Sequence, residues 1–340
     1  MGNCADKVLQ RIVELACLDD AGVTARRLGL VSKRFRSAAE PIELRYIAVS
    51  GLTQLRGVFT RLNMWKLPRG DELQVDVRHL FISELEETHA YAREESGGRF
   101  WLSDDGKKLL QSYLDDSLEF WILVDGLVKA TSSTLRTLTM LTFDGWTEEL
   151  YLDVDLLTSK LLGALSSSSF PNLTSLTIVH NAQYDQGPYE NATFDTEFQH
   201  PFLPSLRRLR VISPFCIGVS FKEMRTIFHP LLAEFRDHIP ELTELTMSIL
   251  ALECDEAAEL LLGDGWDERS LSKKALPGKL RTVTFLPYPI DRRIPGALAL
   301  SFQLLNIRGL KIRPTYPKAG QSWYHALFSL WLEDTKTHWA

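Results

Sequence analysis

The spacing of hydrophobic positions changes character once along this chain. Val8, Leu9, Ile12, Val13 and Ala16 recur at helical spacing and give a first helix one apolar stripe. Asp19-Asp20-Ala21-Gly22 reads as a break. A second helix is predicted from Thr24, a suitable N-cap, with Leu28, Val31 and Phe35 on one face. Pro41 marks the limit of a third short element. Three small amphipathic helices in so few residues cannot bury all their apolar surface among themselves. Part of that surface is therefore expected to be covered by a partner or by the next domain.

From Tyr46 onward the period shortens. Tyr46 to Val49 reads as a strand, and Leu52, Leu55, Phe59 and Leu62 as the apolar face of a following helix. A six-position pattern, apolar-x-x-apolar-x-apolar, then recurs. It is found at Val77-x-x-Leu80-x-Ile82, Leu135-x-x-Leu138-x-Met140, Leu173-x-x-Leu176-x-Ile178 and Leu206-x-x-Leu209-x-Val211. It continues at Leu242-x-x-Leu245-x-Met247, Leu280-x-x-Val283-x-Phe285 and, more weakly, Ile307-x-x-Leu310-x-Ile312. The last two apolar residues of each unit are two apart, so both point to one face of a strand. Units of this kind stack parallel strands so that neighbours bury one another's cores, as in leucine-rich repeats. Successive starts from Leu135 are 38, 33, 36, 38 and 27 residues apart. That spacing leaves room for a helix in each unit, and helices are predicted over 109–128, 148–165, 221–235 and 255–262. Ser220 with Glu223 has the spacing of a capping box for the third.

Three stretches interrupt the array: 84–99, 180–200 and 286–296. The second is polar yet carries Tyr184, Tyr189, Phe194 and Phe198, which points to a contact surface or to disorder. At the end of the chain, Trp323, Tyr324, Leu327, Phe328, Trp331 and Leu332 form an amphipathic helix expected to cap the last repeat.

Composition narrows the function classes. The 340 residues carry a formal net charge of -6, which lacks the basic footprint of a nucleic-acid binder. Cys4, Cys17, Cys216 and Cys254 are scattered without a C-x-x-C pair, which speaks against a zinc site or a disulfide framework and for a reduced compartment. No apolar run approaches the ~20 residues that span a bilayer. Asp6 stands where the myristoylation pattern wants Ser or Thr, and the two N-x-T sequons lack a secretory signal. No G-x-S-x-G, Walker A, G-x-G-x-x-G or H-E-x-x-H motif is present, and the eight histidines lie far apart. The expectation is a non-catalytic cytoplasmic or nuclear protein with no cofactor, no metal, no nucleic-acid partner and no membrane partner.

The segment LGLVSKRFRSAAEPIELRYIAV, residues 28–49, resembles the second half of an F-box as found in large families of basidiomycete fungi. Leu28, Leu30, Val31, Ser32, Lys33, Arg34 and Phe35 carry the likeness, and KVLQRIVELA, residues 7–16, is similar to the family's first helix. The resemblance implies an α/β protein in which a three-helix F-box-like domain (1–45) precedes an irregular leucine-rich-repeat-like αβ solenoid with a parallel sheet (46–340). It further implies a substrate-recognition adaptor of an SCF-type ubiquitin ligase, partnered by a Skp-family linker, through it by a cullin, and by a target protein. Linker contact would fall to Val8, Leu9, Ile12, Leu30, Val31, Lys33, Arg34 and Phe35. Cys4-Ala5 stands where the family opens with Leu-Pro, and this supports an alternative: a repeat scaffold whose F-box does not engage a linker.

The strand faces supply candidates for target contact. Positions between the two inner apolar residues are predicted to face away from the core: Phe81, Thr139, Thr177, Arg210, Thr246, Thr284 and Lys311. The positions before them are His79, Thr137, Ser175, Arg208, Glu244, Thr282 and Gly309. Arg208 and Arg210 make a basic spot that either receives an acidic or phosphorylated segment or stands as a solvated edge. His79, Phe81, Arg208 and Arg210, with Tyr184 and Tyr189, form the expected target-binding set.

Overall fold

The computed structural model describes residues 2–17, 23–66, 76–86, 88–89, 104–143, 169–181, 202–212, 239–250, 279–288, 311–314 and 323–336. The predicted helices over 148–165, 221–235 and 255–262, the Ser220–Glu223 capping box, and Tyr184 and Tyr189 lie outside them.

Three helices open the chain: α1 (Gly2–Ala16), α2 (Val23–Val31) and α3 (Lys33–Glu43). The second predicted helix is in fact two. Ser32 adopts extended backbone (φ -160°, ψ 161°) and its hydroxyl accepts a hydrogen bond from the Phe35 backbone N–H, the geometry of an N-cap. Phe35 therefore belongs to α3, while Leu28 and Val31 belong to α2. Pro41 lies inside the last turn of α3 rather than beyond its end.

Strand β1 (Tyr46–Ser50) leads into α4 (Gly51–Lys66), then β2 (His79–Ser83), α5 (Asp104–Thr131), β3 (Thr137–Phe143) and β4 (Ser175–Asn181). The series continues with β5 (Arg208–Ile212), β6 (Glu244–Leu250), β7 (Thr282–Tyr288) and β8 (Lys311–Pro314), and α6 (Trp323–Lys336) follows. Among the described residues the eight strands are all parallel, and their order in the sheet is their order in the chain.

The six-position pattern explains the sheet's first face. Val77, Leu135, Leu173, Leu206 and Leu242, each just ahead of its strand, are fully buried. They join Leu80, Ile82, Leu138, Met140, Leu176, Leu209 and Leu245 in one core. Leu55 and Leu62 of α4 and Phe120, Trp121, Val124, Leu127 and Val128 of α5 cover that core from outside. Helix α5 starts with Asp104 and Asp105, whose charges suit the positive end of the helix dipole. The turn before a strand is also built alike. Leu173, Leu206 and Leu242 donate backbone hydrogen bonds to Phe170, Leu203 and Ile239, with a proline next in each turn: Pro171, Pro204 and Pro240.

Strand β1 adds one unit to the seven that show the six-position pattern. Tyr46 pairs with His79, which aligns Leu44-x-x-Ile47-x-Val49 with Val77-x-x-Leu80-x-Ile82, and Leu44, Ile47 and Val49 are in the first core. At the other end the register differs from the expected one by two residues. Lys311 pairs with Thr282 and Ile312 with Val283, whereas the sequence frame matched Lys311 to Thr284. A slip of two keeps every side chain on its face, so the hydrophobic pattern cannot distinguish the two frames.

Gly51, at the β1–α4 junction, has φ 77°, and a Cβ there would lie 2.7 Å from Glu86 Cγ. Left-handed backbone costs an L-residue ~1–2 kcal/mol. Gly51→Ala is expected to lower the unfolding free energy by about that amount, read as a lower urea midpoint at unchanged slope.

Candidate binding surfaces

His79, Phe81, Arg208 and Arg210 lie on the sheet's second face, which is covered from β1 to β5. Tyr46, Phe81, Leu141, Val179 and Ile212 point into a second core with Tyr324, Leu327 and Trp331 of α6. Val13, Ala25, Ala39 and Ile42 of α1–α3, with Cys17 just past the end of α1, belong to the same core. Helix α6 lies on strands, packing on β2 and β3, instead of capping the last repeat. Its reach is consistent with a crossing across the strands. Tyr324 hydroxyl and Ser50 Oγ at β1 are 2.7 Å apart, while Asp334 meets β4 and β5. Ten helical residues rise ~15 Å, and three to four strand spacings cover ~14–19 Å.

The aromatic side chains fix the middle of this crossing. Phe81, fully buried, sits with its ring centroid 5.6 Å from Tyr324, 5.3 Å from Phe328 and 5.8 Å from Trp331, the first two edge-on. His79 is stacked on Tyr46 at 4.9 Å, and its Nδ1 lies 3.0 Å from Thr137 Oγ1. At the far end a carboxylate is buried between two guanidinium groups. Arg208 Nη1 donates to Asp334 Oδ1 at 2.6 Å, and Arg210 Nη1 donates to Oδ2 at 2.5 Å. Ser175 Oγ donates to the same Oδ2 at 2.7 Å. The Asp334 side chain is 3% exposed, against 16% and 13% for the arginines, so the cluster is an internal tie and not a solvated edge. His79, Phe81, Arg208 and Arg210 are thus brought onto one face and engaged there within the chain.

The N-terminal helices present the opposite situation. Val8, Ile12, Leu30 and Val31 are exposed, at 53%, 54%, 80% and 67%. Lys33 is exposed, as is Arg34, whose Nε donates to Asp6 Oδ1 at 2.8 Å and so ties the start of α3 to the start of α1. Leu9 and Phe35 are half-buried, and Phe35 packs with Leu28 against the second core. Leu15, absent from the expected set, is half-exposed and completes a stripe with Val8 and Ile12 at spacings of four and three. That stripe was readable from the sequence.

An ionic group joins these helices to the strand starts. Arg45 Nη1 donates to Glu14 Oε1 at 2.5 Å, its Nε lies 3.3 Å from Asp76, and Arg78 Nη2 donates to Asp76 Oδ2 at 2.6 Å. Burial pushes the Asp76 carboxyl up, but hydrogen bonds from Arg78 and the charges of Arg78, Arg45 and Arg136 outweigh it and hold the group below its ordinary range. Glu14 behaves alike: burial raises it, and bonds and charges from Arg45 and Arg11 bring it down. A carboxyl depressed in the folded state stabilises the fold above its unfolded pKa and loses that contribution as pH falls through the folded value. Stability should therefore drop below the usual carboxylate range. Asp76→Asn with Glu14→Gln should flatten that acid limb, as read by thermal melts from neutral to strongly acidic pH.

Among the described residues no group of three or more His, Cys, Asp or Glu side chains converges to hold a metal, and no helix is long and apolar enough to cross a membrane. Compared with protein-family models, curated proteins and solved structures, the chain finds no match in any of the three.

Proposed function

We propose that this chain is the substrate-receptor subunit of an SCF-type ubiquitin ligase. In this reading α1–α3 are an F-box that docks on a Skp-family linker bound to a cullin, and the parallel strands are an irregular leucine-rich-repeat-like solenoid that holds a target protein. The observation that carries the reading is the exposed apolar set Val8, Ile12, Leu15, Leu30 and Val31. These side chains sit on short helices whose inner residues already fill the second core, so a partner is what would cover them. The resemblance of residues 28–49 to an F-box supplies the identity of that partner. The mechanism is proximity: the chain raises the effective concentration of a target at the ubiquitin-carrying enzyme and contributes no reacting group.

Purified chain is expected to retain a Skp-family linker in a pull-down. Leu30→Asp with Val31→Asp, at exposed positions, should abolish retention while the circular dichroism spectrum stays unchanged. A folded wild type that ignores the linker overturns the proposal. That outcome selects the second reading, an interaction scaffold without a ligase link, which Cys4-Ala5 in place of the family's Leu-Pro favours.

A further inference from the structure

The residue just before each of strands β1–β7 lies in a row along one edge of the sheet. In chain order the row is Arg45, Arg78, Arg136, Thr174, Arg207, Thr243 and Arg281. The backbone places these residues in line: Arg78 and His79 both donate to the Arg45 carbonyl, Arg136 and Thr137 to Arg78, and Thr174 and Ser175 to Arg136. The same double bond repeats from Arg207 and Arg208 to Thr174, from Thr243 and Glu244 to Arg207, and from Arg281 and Thr282 to Thr243. Thr174 and Thr243 also turn their hydroxyls back onto the carbonyls of Arg136 and Arg207, at 3.0 Å each.

Carboxylates near both ends of this row are already used. Glu14 and Asp76 serve Arg45 and Arg78, and Glu241 takes Lys279 at 2.5 Å. Arg136 is half-buried and feels Asp76, and Arg207 and Arg281 are exposed. Among the described residues none of these three guanidinium groups makes a side-chain hydrogen bond or an ion pair. The chain as a whole carries a net charge of -6, so this strip is a local reversal of sign.

We propose that the strip Arg136–Arg207–Arg281 docks an extended acidic segment of a partner protein, with carboxylates on every third residue. The spacing carries the choice. Arg136, Arg207 and Arg281 occupy alternate strands, so their Cα atoms are ~9.6 Å apart at twice the ~4.8 Å strand spacing. A polyproline II segment has three residues per turn and rises ~3.1 Å per residue, which puts side chains i, i+3 and i+6 on one face every ~9.3 Å. A β-strand returns to one face every second residue, at ~6.7 Å, and fits the row poorly. Arginine's planar fork donates two parallel hydrogen bonds to each carboxylate.

The test is fluorescence anisotropy at low salt with a labelled peptide of four Glu-Pro-Pro triplets. The full chain should bind this peptide and bind a peptide of the same composition with its glutamates contiguous distinctly less well, with affinity falling as salt rises. Each of Arg136→Gln, Arg207→Gln and Arg281→Gln should weaken binding about threefold, and the triple variant about 20–30-fold, as expected for exposed ion pairs. Reversal of the three positions to glutamate should transfer binding to a Lys-Pro-Pro peptide, which keeps the test decisive if the neutral variant folds poorly. Equal binding of the contiguous peptide, unchanged binding by the triple variant, or equally tight binding of an oligothymidylate would each overturn the proposal. Linker retention by the glutamine variants should match wild type, so failure here and failure of the F-box reading are separate results.

Discussion

Asp334→Ala should lower the unfolding free energy at neutral pH by about 3–5 kcal/mol, the range found when one member of a buried ion pair is removed. The carboxylate is the shared acceptor of Arg208, Arg210 and Ser175, and its side chain is almost fully enclosed. Its loss takes a shared buried counter-charge from two guanidinium groups under α6 and the acceptor from a serine hydroxyl. Charge balance, more than lost contact, is the cause. Arg208→Met and Arg210→Met added to Asp334→Leu should therefore recover most of the lost stability, since well-packed apolar groups replace buried ion pairs at little cost. Urea unfolding followed by tryptophan fluorescence reads both results. A loss under ~1 kcal/mol for Asp334→Ala would mean that water reaches the cluster and that α6 is not seated there.

That cluster also shows where sequence reading stopped. The first face of the sheet was legible because burial there is written in the period: a leucine before the strand and two apolar residues within it, repeated. The second face carries Thr137, Thr139, Ser175, Thr177, Arg208 and Arg210, a composition that reads as solvated strand surface. What buries it comes from α6, more than a hundred residues beyond β5, and no local period reports so distant a contact. The aromatic spacing of α6 predicted a helix correctly but fits a cap on the last strand equally well. The break at Ser32 was hidden for a related reason, since Leu28, Val31 and Phe35 keep helical spacing across it. By contrast, the exposed side chains of α1 and α2 were legible, because short helices with more apolar surface than they can bury announce an unfilled face.

The two ends of the chain meet on the same side of the sheet. Val13, Ala39 and Ile42 share a core with Tyr324, Leu327 and Trp331, so the helices that present the exposed apolar set stand on the core that α6 completes. Parallel sheets are usually covered on both faces, and among the described residues α4 and α5 cover part of the first face while α1–α3 and α6 cover the second from β1 to β5. A protein partner could reach His79, Phe81, Arg208 and Arg210 only after α6 had moved. Each of them would then have to exchange a satisfied internal contact for a new one.

Trp331→Ala tests that cover at its centre, with an expected destabilisation of about 3–5 kcal/mol. Trp331 is 1% exposed and packs against Phe81 and Phe328. Removing the indole opens a cavity between α6 and β2 that β2, fixed by parallel pairing to β1 and β3, cannot close. Phe81→Ala should cost a similar amount, and the double variant clearly less than the sum, because the two rings lose one shared contact. The effect should be local before it is global. In Trp331→Ala, limited proteolysis should cut within 323–336 under conditions where wild type resists, while hydrogen exchange in β3 and β4 stays slow on the first-core side. If exchange instead accelerates equally throughout the sheet, α6 and the strands unfold as one unit, and the second face cannot be uncovered without loss of the fold.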